Sequence, residues 1–496
     1  MSGEIYSVRP LVAFLMPWMS LLGIILFRNN RNLKRAFHVG GSVLAFAVVL
    51  SLLPDILDGK NLGINIIQGI EHINIHFTVD ALGYYYGMVL TFIWMLATIF
   101  SLGYIEHGEN RFYGFMALCD SFILGCAFSQ NMFTYFIFYE LMTFAAYPLI
   151  IHEETPEARR AGLKYLIYAT SGGAVIFFAI AAQYFWGGGN LSIVSGGILS
   201  LKTASRTVLT FIFFAYLAGF GVKAAIIPLH GWVPDAHPAA PSPASAVLSG
   251  VILKAGAFGI TRVVLNVFGL ALFKELNLSI YLAMIASITI VVSSIFAVAQ
   301  DNLKRRLAYS SIGQVSYILL GLSLASYHGV LGGMMHIAHH ALMKGCLFLC
   351  AGIILVRTGK RNVSEMKGIG YRLPVTMVCF AIAALAMMGT PPTVGFISKW
   401  LLGIGALEAG NPMFIGILLV SALLNAVYFL PVIYTAFFEH PEGVKHPVFH
   451  PGAEASRAMI VPVVILAALV VVSGALVDVP GFPYSEVSKA LQGFFH

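Results

Sequence analysis

Charge is what this sequence lacks. Asp, Glu, Lys and Arg make up 10% of its 496 residues, against about 25% in an ordinary soluble domain. With 58% hydrophobic residues and a mean hydropathy of +0.85, that shortage excludes a soluble globular protein and points to an integral membrane protein. Long polar segments are missing as well. The longest, 57–78 and 438–458, hold about twenty residues each, too few for a separate soluble domain. Cysteine is scarce, and Cys119, Cys126, Cys346, Cys350 and Cys379 all fall inside apolar runs without a CxxC or zinc spacing. Neither a disulfide framework nor a cysteine-held metal or cluster is expected. The basic excess, formally +7, is scattered through loops and apolar runs and makes no patch suited to nucleic acid. Flavin, nicotinamide and iron–sulfur motifs are absent, so no cofactor is expected in this chain.

What the sequence has in plenty is apolar runs of spanning length. The pattern predicts fourteen helices. The first seven lie near 10–27, 37–56, 79–104, 113–129, 131–151, 162–186 and 206–228. The others lie near 241–264, 279–299, 307–326, 329–356, 374–405, 412–437 and 459–477. Leu11–Phe27 has no basic leader and no small-residue cleavage site, so a retained first span is expected. Residues 63–78 alternate apolar and polar side chains and predict a short extended hairpin on the surface.

Lys and Arg separate between the two sides. One side carries Arg28, Arg31, Lys34, Arg35, Arg111, Arg159, Arg160, Lys304, Arg305, Arg306, Arg357, Lys360, Arg361, Lys367, Arg372, Lys445 and Arg457. The other carries only Arg9, Lys60, Lys202, Arg206, Arg262, Lys274 and Lys489. By the positive-inside rule the first set is cytoplasmic, and both termini of this multi-pass inner-membrane chain face out.

Four lysines, Lys223, Lys254, Lys344 and Lys399, lie inside these runs. A lysine at mid-membrane costs roughly 2.5–3.5 kcal/mol on insertion scales, which implies a function that uses them. Two of them sit beside helix breaks. In FGVKAAIIPLHGW, Pro228 cannot donate to the carbonyl of Ala224, next to Lys223; in MMGTPPTVGFISKW, Gly389, Pro391, Pro392 and Gly395 precede Lys399. Unwound backbone within a membrane is tolerated where it is buried in protein or lines a wet cavity, and paired interrupted helices mark transport sites. A packing kink accounts for two such breaks, each with a lysine, less readily than for one.

Glu140 is embedded in NMFTYFIFYELMTFAAYPLI. Burial disfavours a carboxylate and a nearby ammonium favours it, so Glu140 and Lys223 are expected to work as a switch pair. His336, His340 and Lys344 are spaced i, i+4, i+8, which puts them on one helix face about 12 Å long. Imidazoles titrate nearest neutrality, so this row is suited to proton relay. His339 points roughly 100° away and is expected to pack or hydrogen-bond. A haem held by two histidines needs ligands from facing helices, which this spacing does not provide. Asp120, His230 and His237 are accessory candidates, each with a structural alternative: a hydrogen bond for Asp120, a helix cap or cavity mouth for the histidines.

FGVKAAIIPLHGWVPDAHPAAPSPASAVLSGVILKAGAFGI, QDNLKRRLAYSSIGQVSY, HIAHHALMKGCLFL and GTPPTVGFISKW together resemble the proton-translocating antiporter-like subunits. These occur in respiratory complex I, Mrp-type cation/proton antiporters and membrane-bound hydrogenases. The likeness covers roughly 75–440. It implies an all-α membrane protein of fourteen helices with two inverted five-helix repeats and with helices 7 and 12 broken. The implied division is 1–112 (helices 1–3 and hairpin), 113–264 (first repeat), 279–437 (second repeat) and 438–496 (last helix and tail). It also implies that Glu140, Lys223, Lys254, His336, His340 and Lys399 form a charged axis. Lysine at 399, where some members have glutamate, is similar to the Mrp D subunit and some complex I subunits; His339 stands where asparagine is frequent. With the sequence ending near 496, the resemblance implies one of the shorter subunits, without the long lateral helix of the largest members. ELMTFAAYPLIIHEETPEARRAGLKY leans toward the Mrp-like and hydrogenase-like branch.

The function expected from residues and resemblance together is proton translocation within a multi-subunit membrane complex. Protons would pass through Glu140/Lys223, Lys254, His340/Lys344 and Lys399. The drive would come from a redox module or an opposing cation gradient in partner subunits. Sodium/proton antiport by this subunit itself is a second reading, although acidic residues that would hold sodium are few in the spans. A passive scaffold is a third, and it leaves the four lysines unexplained.

Overall fold

The computed structural model describes residues 4–70, 73–439, 453–477 and 483–495. The turn of the expected hairpin (71–72), Lys445 and most of the polar stretch 438–458 lie outside the described residues. In chain order the helices are α1 (Arg9–Leu26), α2 (Arg31–Leu57), α3 (Ala81–Tyr104), α4 (Glu109–Ala127), α5 (Met132–Ile150), α6 (Pro156–Trp186), α7 (Arg206–Ala224), α8 (Val233–Ala239) and α9 (Ser242–Glu275). They continue as α10 (Leu278–Val298), α11 (Leu303–Leu324), α12 (Tyr327–Thr358), α13 (Pro374–Met388), α14 (Val394–Glu408), α15 (Met413–Phe437), α16 (Arg457–Ala475) and α17 (Pro483–Phe495). Among the described residues, 12 of these are long and apolar enough to cross a membrane. α4 and the broken pair α13/α14 fill the two remaining places in the expected fourteen.

Side-chain caps explain where several helices begin. Asn30, Asp80, Asn131, Thr155, Ser205, Asn302 and Ser326 each accept a backbone N–H from the first turn of the helix that follows. These caps start α2 and α11 several residues earlier than hydropathy alone suggests. Arg31, Lys34, Arg35, Lys304, Arg305 and Arg306 are therefore helical, not loop, residues.

Both expected breaks are present. α7 stops at Ala224 because Ala225 adopts a left-handed conformation, φ +59°, and α8 begins at Val233. α13 stops at Gly389, φ +94°, a value glycine tolerates without strain, and α14 starts at Val394. α9 runs further than the expected 241–264 and contains two π-helical turns, Leu248–Ile252 and Val263–Phe268.

The hairpin is present as β2 (Leu62–Ile70) against β3 (Ile73–Val79), antiparallel, with Leu62 opposite Val79 and Ile64 opposite Phe77. A two-residue strand, Ile5–Tyr6, adds to β2 in parallel. The sheet does not merely lie on the surface. Phe77 is fully buried and packs against Phe14, Phe128 and Phe138. The interior is built by α9 and α11, whose most apolar stretches are 89% and 94% buried, against 33% for α1, α2 and α15. Leu163, Ile167 and Phe185 of α6 and Leu419 and Leu423 of α15 face outward, as lipid-contacting side chains do.

Candidate functional site

Lys223 ends α7 fully buried, with its ammonium 2.8 Å from the Tyr139 carbonyl and 2.5 Å from the Thr143 hydroxyl of α5. The Tyr139 ring lies beneath it, 3.5 Å from the nitrogen to the ring centroid. Glu140 is the next residue on α5, yet no ion pair joins it to Lys223 among the described residues. The expected contact of the switch pair is thus absent: the two charges act on each other only at a distance. The reason is geometric. Consecutive positions on a helix point about 100° apart, and Lys223 binds the Tyr139–Thr143 face. The Glu140 carboxyl instead occupies the space left by Gly173 of α6, where a Cβ would come within 2.3 Å of Oε1. That Oε1 has no hydrogen-bond partner.

α7 and α9 cross directly behind Lys223. A Cβ on Gly256 would meet the Phe220 carbonyl at 2.5 Å and the Ala224 nitrogen at 2.4 Å. Two residues earlier, Lys254 turns back along its own helix and donates to the Ser249 carbonyl at 2.8 Å. The π-helical turn Leu248–Ile252 immediately precedes it, and such turns disturb the regular i→i−4 ladder. The Ser249 hydroxyl meets that of Ser311 on α11 at 2.7 Å, which joins the lysine's carbonyl partner to the second half of the chain.

The α12 row is continuous, as its spacing predicts. The His336 and His340 rings lie parallel, 5.8 Å apart. His336 bridges two helices: Nδ1 is 2.8 Å from the Ser398 hydroxyl of α14 and Nε2 is 3.0 Å from Gln314 Oε1 of α11. Both ring nitrogens of His340 are buried without a protein partner, within reach of the charges of Lys254 and Lys344. Lys344 donates to the Leu307 carbonyl (3.0 Å) and the Ser310 hydroxyl (2.6 Å) of α11. Lys399, half-buried on α14, reaches back across the break and donates to the Met387 and Met388 carbonyls at 2.7 and 3.0 Å. It thereby caps the C-terminus of α13, where the helix dipole favours a cation. Gly389 leaves the room for it, since a Cβ there would lie 3.0 Å from Lys399 Cδ.

The accessory candidates are placed unequally. His237 is fully buried on α8, stacked on Phe348 at 4.9 Å with both nitrogens unpartnered, and the charges of Lys254, Lys304 and Lys344 reach it. It therefore joins the row. His230 lies half-buried in the turn between α7 and α8, beside Phe296 and Tyr309. Asp120 is buried on α4 with Oδ1 unpartnered, and it touches none of the lysines. His339 is buried with both nitrogens unpartnered, so of the two expected roles it packs and does not hydrogen-bond.

Three groups went unrecognised in the sequence. The hydroxyls of Thr143, Ser310 and Ser398 hold members of the row. Lys304 and Arg306 are buried in α11, and Arg262 is buried in α9, although all three read as loop charges. Arg262 makes a two-pronged ion pair with Asp80, both bonds 2.6 Å, with its own side chain 1% exposed. The available signal for Lys304 and Arg306 was Asn302, a strong cap residue that starts the helix before them.

Residues 129–425 match the NADH:quinone oxidoreductase/Mrp antiporter transmembrane family. The chain belongs to this family. NADH-quinone oxidoreductase subunit N of Desulforudis audaxviator is 36% identical over 403 residues, covering 78% of this chain and 79% of that protein. A chain of an archaeal respiratory membrane complex, the membrane-bound sulfane sulfur reductase, superposes with a TM-score of 0.84 at 26% identity, covering 98% of this chain and 96% of its own. A chain of the Mrp complex of Dietzia sp. shares the fold, with a TM-score of 0.85 at 20% identity, covering 99% and 98%. This member of the antiporter family is therefore a multi-pass membrane protein. Because a relative at 36% identity is a quinone oxidoreductase subunit, ELMTFAAYPLIIHEETPEARRAGLKY does not by itself set the chain in the Mrp-like and hydrogenase-like branch.

Proposed function

We propose that this chain is a proton-translocating subunit of a multi-subunit membrane complex, with other membrane subunits as its partners. The observation that carries the reading is how the buried amines are held. Lys223, Lys254, Lys344 and Lys399 each rest on backbone carbonyls or serine and threonine hydroxyls, and none is locked to a carboxylate. Neutral oxygens accept a hydrogen bond from an ammonium or from an amine, so either protonation state fits the same site. An ion pair with a carboxylate would favour the charged state throughout. Between the lysines stand imidazoles that donate or accept. The unpartnered nitrogens of His237 and His340 call for ordered water, as buried polar groups do.

Protons would travel from Glu140 and Lys223 by Lys254 and His340/Lys344 to His336 and Lys399, with His237 beside the middle of the path. The paired breaks, each with a lysine, support 113–264 and 279–437 as two inverted repeats. The Lys/Arg bias supports both termini on the outer side of the cytoplasmic membrane. The drive would be a redox module or an opposing cation gradient in the partner subunits.

Lys223→Ala tests this against a scaffold. In vesicles holding the intact complex, transport should fall by about a hundredfold or more while the subunits are recovered in normal ratio. Loss of assembly with proportionate loss of transport would favour the scaffold.

A further inference from the structure

A cavity of about 860 Å³ opens between the connection following α5 and the first turn of α11. Arg160 and Arg361, both from the more basic set of connections, lie on its wall. Asp235 of α8 stands at its edge and accepts from Lys164 of α6 at 2.7 Å and from Arg305 of α11 at 3.1 Å. The neighbouring Lys304 also lines the cavity but turns inward, its ammonium 2.9 Å from the Ala240 carbonyl at the end of α8. Its side chain is nearly enclosed, 9% exposed. Lys304 thus borders water on one side and the protein interior on the other. One turn back along α8 is His237, buried, with both imidazole nitrogens lacking a protein partner. The charges of Lys304, Lys254 and Lys344 converge on it.

We propose that this cavity is an aqueous entrance to the middle of the buried row, and that Lys304 is its innermost residue, taking a proton from cavity water and passing it to His237. This rests on the translocation reading above. The amine of Lys304 becomes an ammonium. An N–H bond then breaks as a nitrogen of His237 accepts the proton by way of water, which returns Lys304 to the amine. The imidazolium passes the proton to the amine of Lys254 and is itself restored. Lysine suits the position because its compact ammonium can both cap α8 and release a proton, whereas a guanidinium does not deprotonate.

Two measurements on the intact complex test it. Lys304→Arg keeps the charge and the cap, so subunit recovery should be normal while transport falls about a hundredfold. Should arginine prevent assembly, Lys304→Gln, which can still donate to the Ala240 carbonyl, carries the same expectation. Normal transport in the assembled variant would show Lys304 to be a helix cap only. Separately, Lys304→Cys should be labelled by a membrane-impermeant methanethiosulfonate from the cytoplasmic face and not from the other. The five native cysteines are buried and give little background. An introduced thiol that stays unlabelled in an assembled complex would overturn the entrance. Labelling reads water access whether or not the complex pumps, so its result stands apart from the Lys223→Ala test.

Discussion

Glu140 brings the one carboxyl to the row, and that carboxyl leans on a glycine instead of a hydrogen-bond donor. Gly173 leaves space where any other residue would displace the Oε1 atom, and that oxygen has no hydrogen-bond partner. Its influence on Lys223 is therefore through space, and through-space coupling depends on charge more than on side-chain length. Glu140→Gln should lower transport about tenfold or more, and Glu140→Asp should keep part of it, with subunit recovery unchanged in both. Transport by the glutamine variant equal to that of the parent would make the acid a packing group. The lysines and histidines were legible in the sequence because an ionisable group in an apolar run is conspicuous. Their partners were not. Thr143, Ser249, Ser310 and Ser398 are ordinary residues of apolar helices, and nothing in spacing along one helix says which neighbouring helix Lys223 will reach. Glu140 and Lys223 are not in direct contact for that reason: adjacent residues of α5 present different faces, and Lys223 takes the Tyr139 face.

At the scale of helices, the breaks and the caps decide where charge can sit. Proline and glycine announced both breaks, and the period-2 alternation announced the hairpin. Helix starts were harder to read. Apolar periodicity places the beginning of α11 at its first hydrophobic turn, but Asn302 caps it earlier and carries Lys304–Arg306 into the structured part. Arg262 lies inside the expected 241–264 helix but near its end, and the continuation of α9 through Gly269 to Glu275 places it in the interior, not at a helix terminus. Its ion pair with Asp80 pins α9 to the N-terminus of α3, where Asp80 also accepts from the Gly83 N–H at 2.8 Å. Burial alone would raise the Asp80 pKa, but the Arg262 charge and hydrogen bonds outweigh it and hold the carboxyl below its ordinary 3.8. A carboxyl so lowered contributes stability above its unfolded-state value and loses it as pH falls through the folded value. Arg262→Ala strands a partly enclosed carboxylate and should cost about 3–5 kcal/mol, seen as a lower thermal midpoint of the purified complex. The deficit should shrink as pH falls, beginning above 3.8, because burial without Arg262 raises the stranded carboxyl and protonation removes its uncompensated charge. A deficit that did not shrink on acidification would place its origin in another group.

Across the whole molecule, the row passes from one half to the other between α9 and α11, and small residues and bridging side chains hold the helices together within each half. Ser249 touches Ser311 between α9 and α11, Gly256 lets α9 lie against the end of α7, and His336 joins α11, α12 and α14. A proton arriving in one half alters the electrostatics felt in the other, since the charges of Lys254 and Lys344 both reach His340. In the proposed path Lys399 stands at the far end, on the last carbonyls of α13, beside the break through which the proton would leave. This is the step on which the account depends. In vesicles containing the intact complex, Lys399→Arg should assemble normally, keep a cation on the Met387 and Met388 carbonyls, and stop proton transport, because the guanidinium retains its proton. Near-normal proton transport by that variant would mean that Lys399 supplies only a fixed charge, and it would contradict proton transfer through the lysine row.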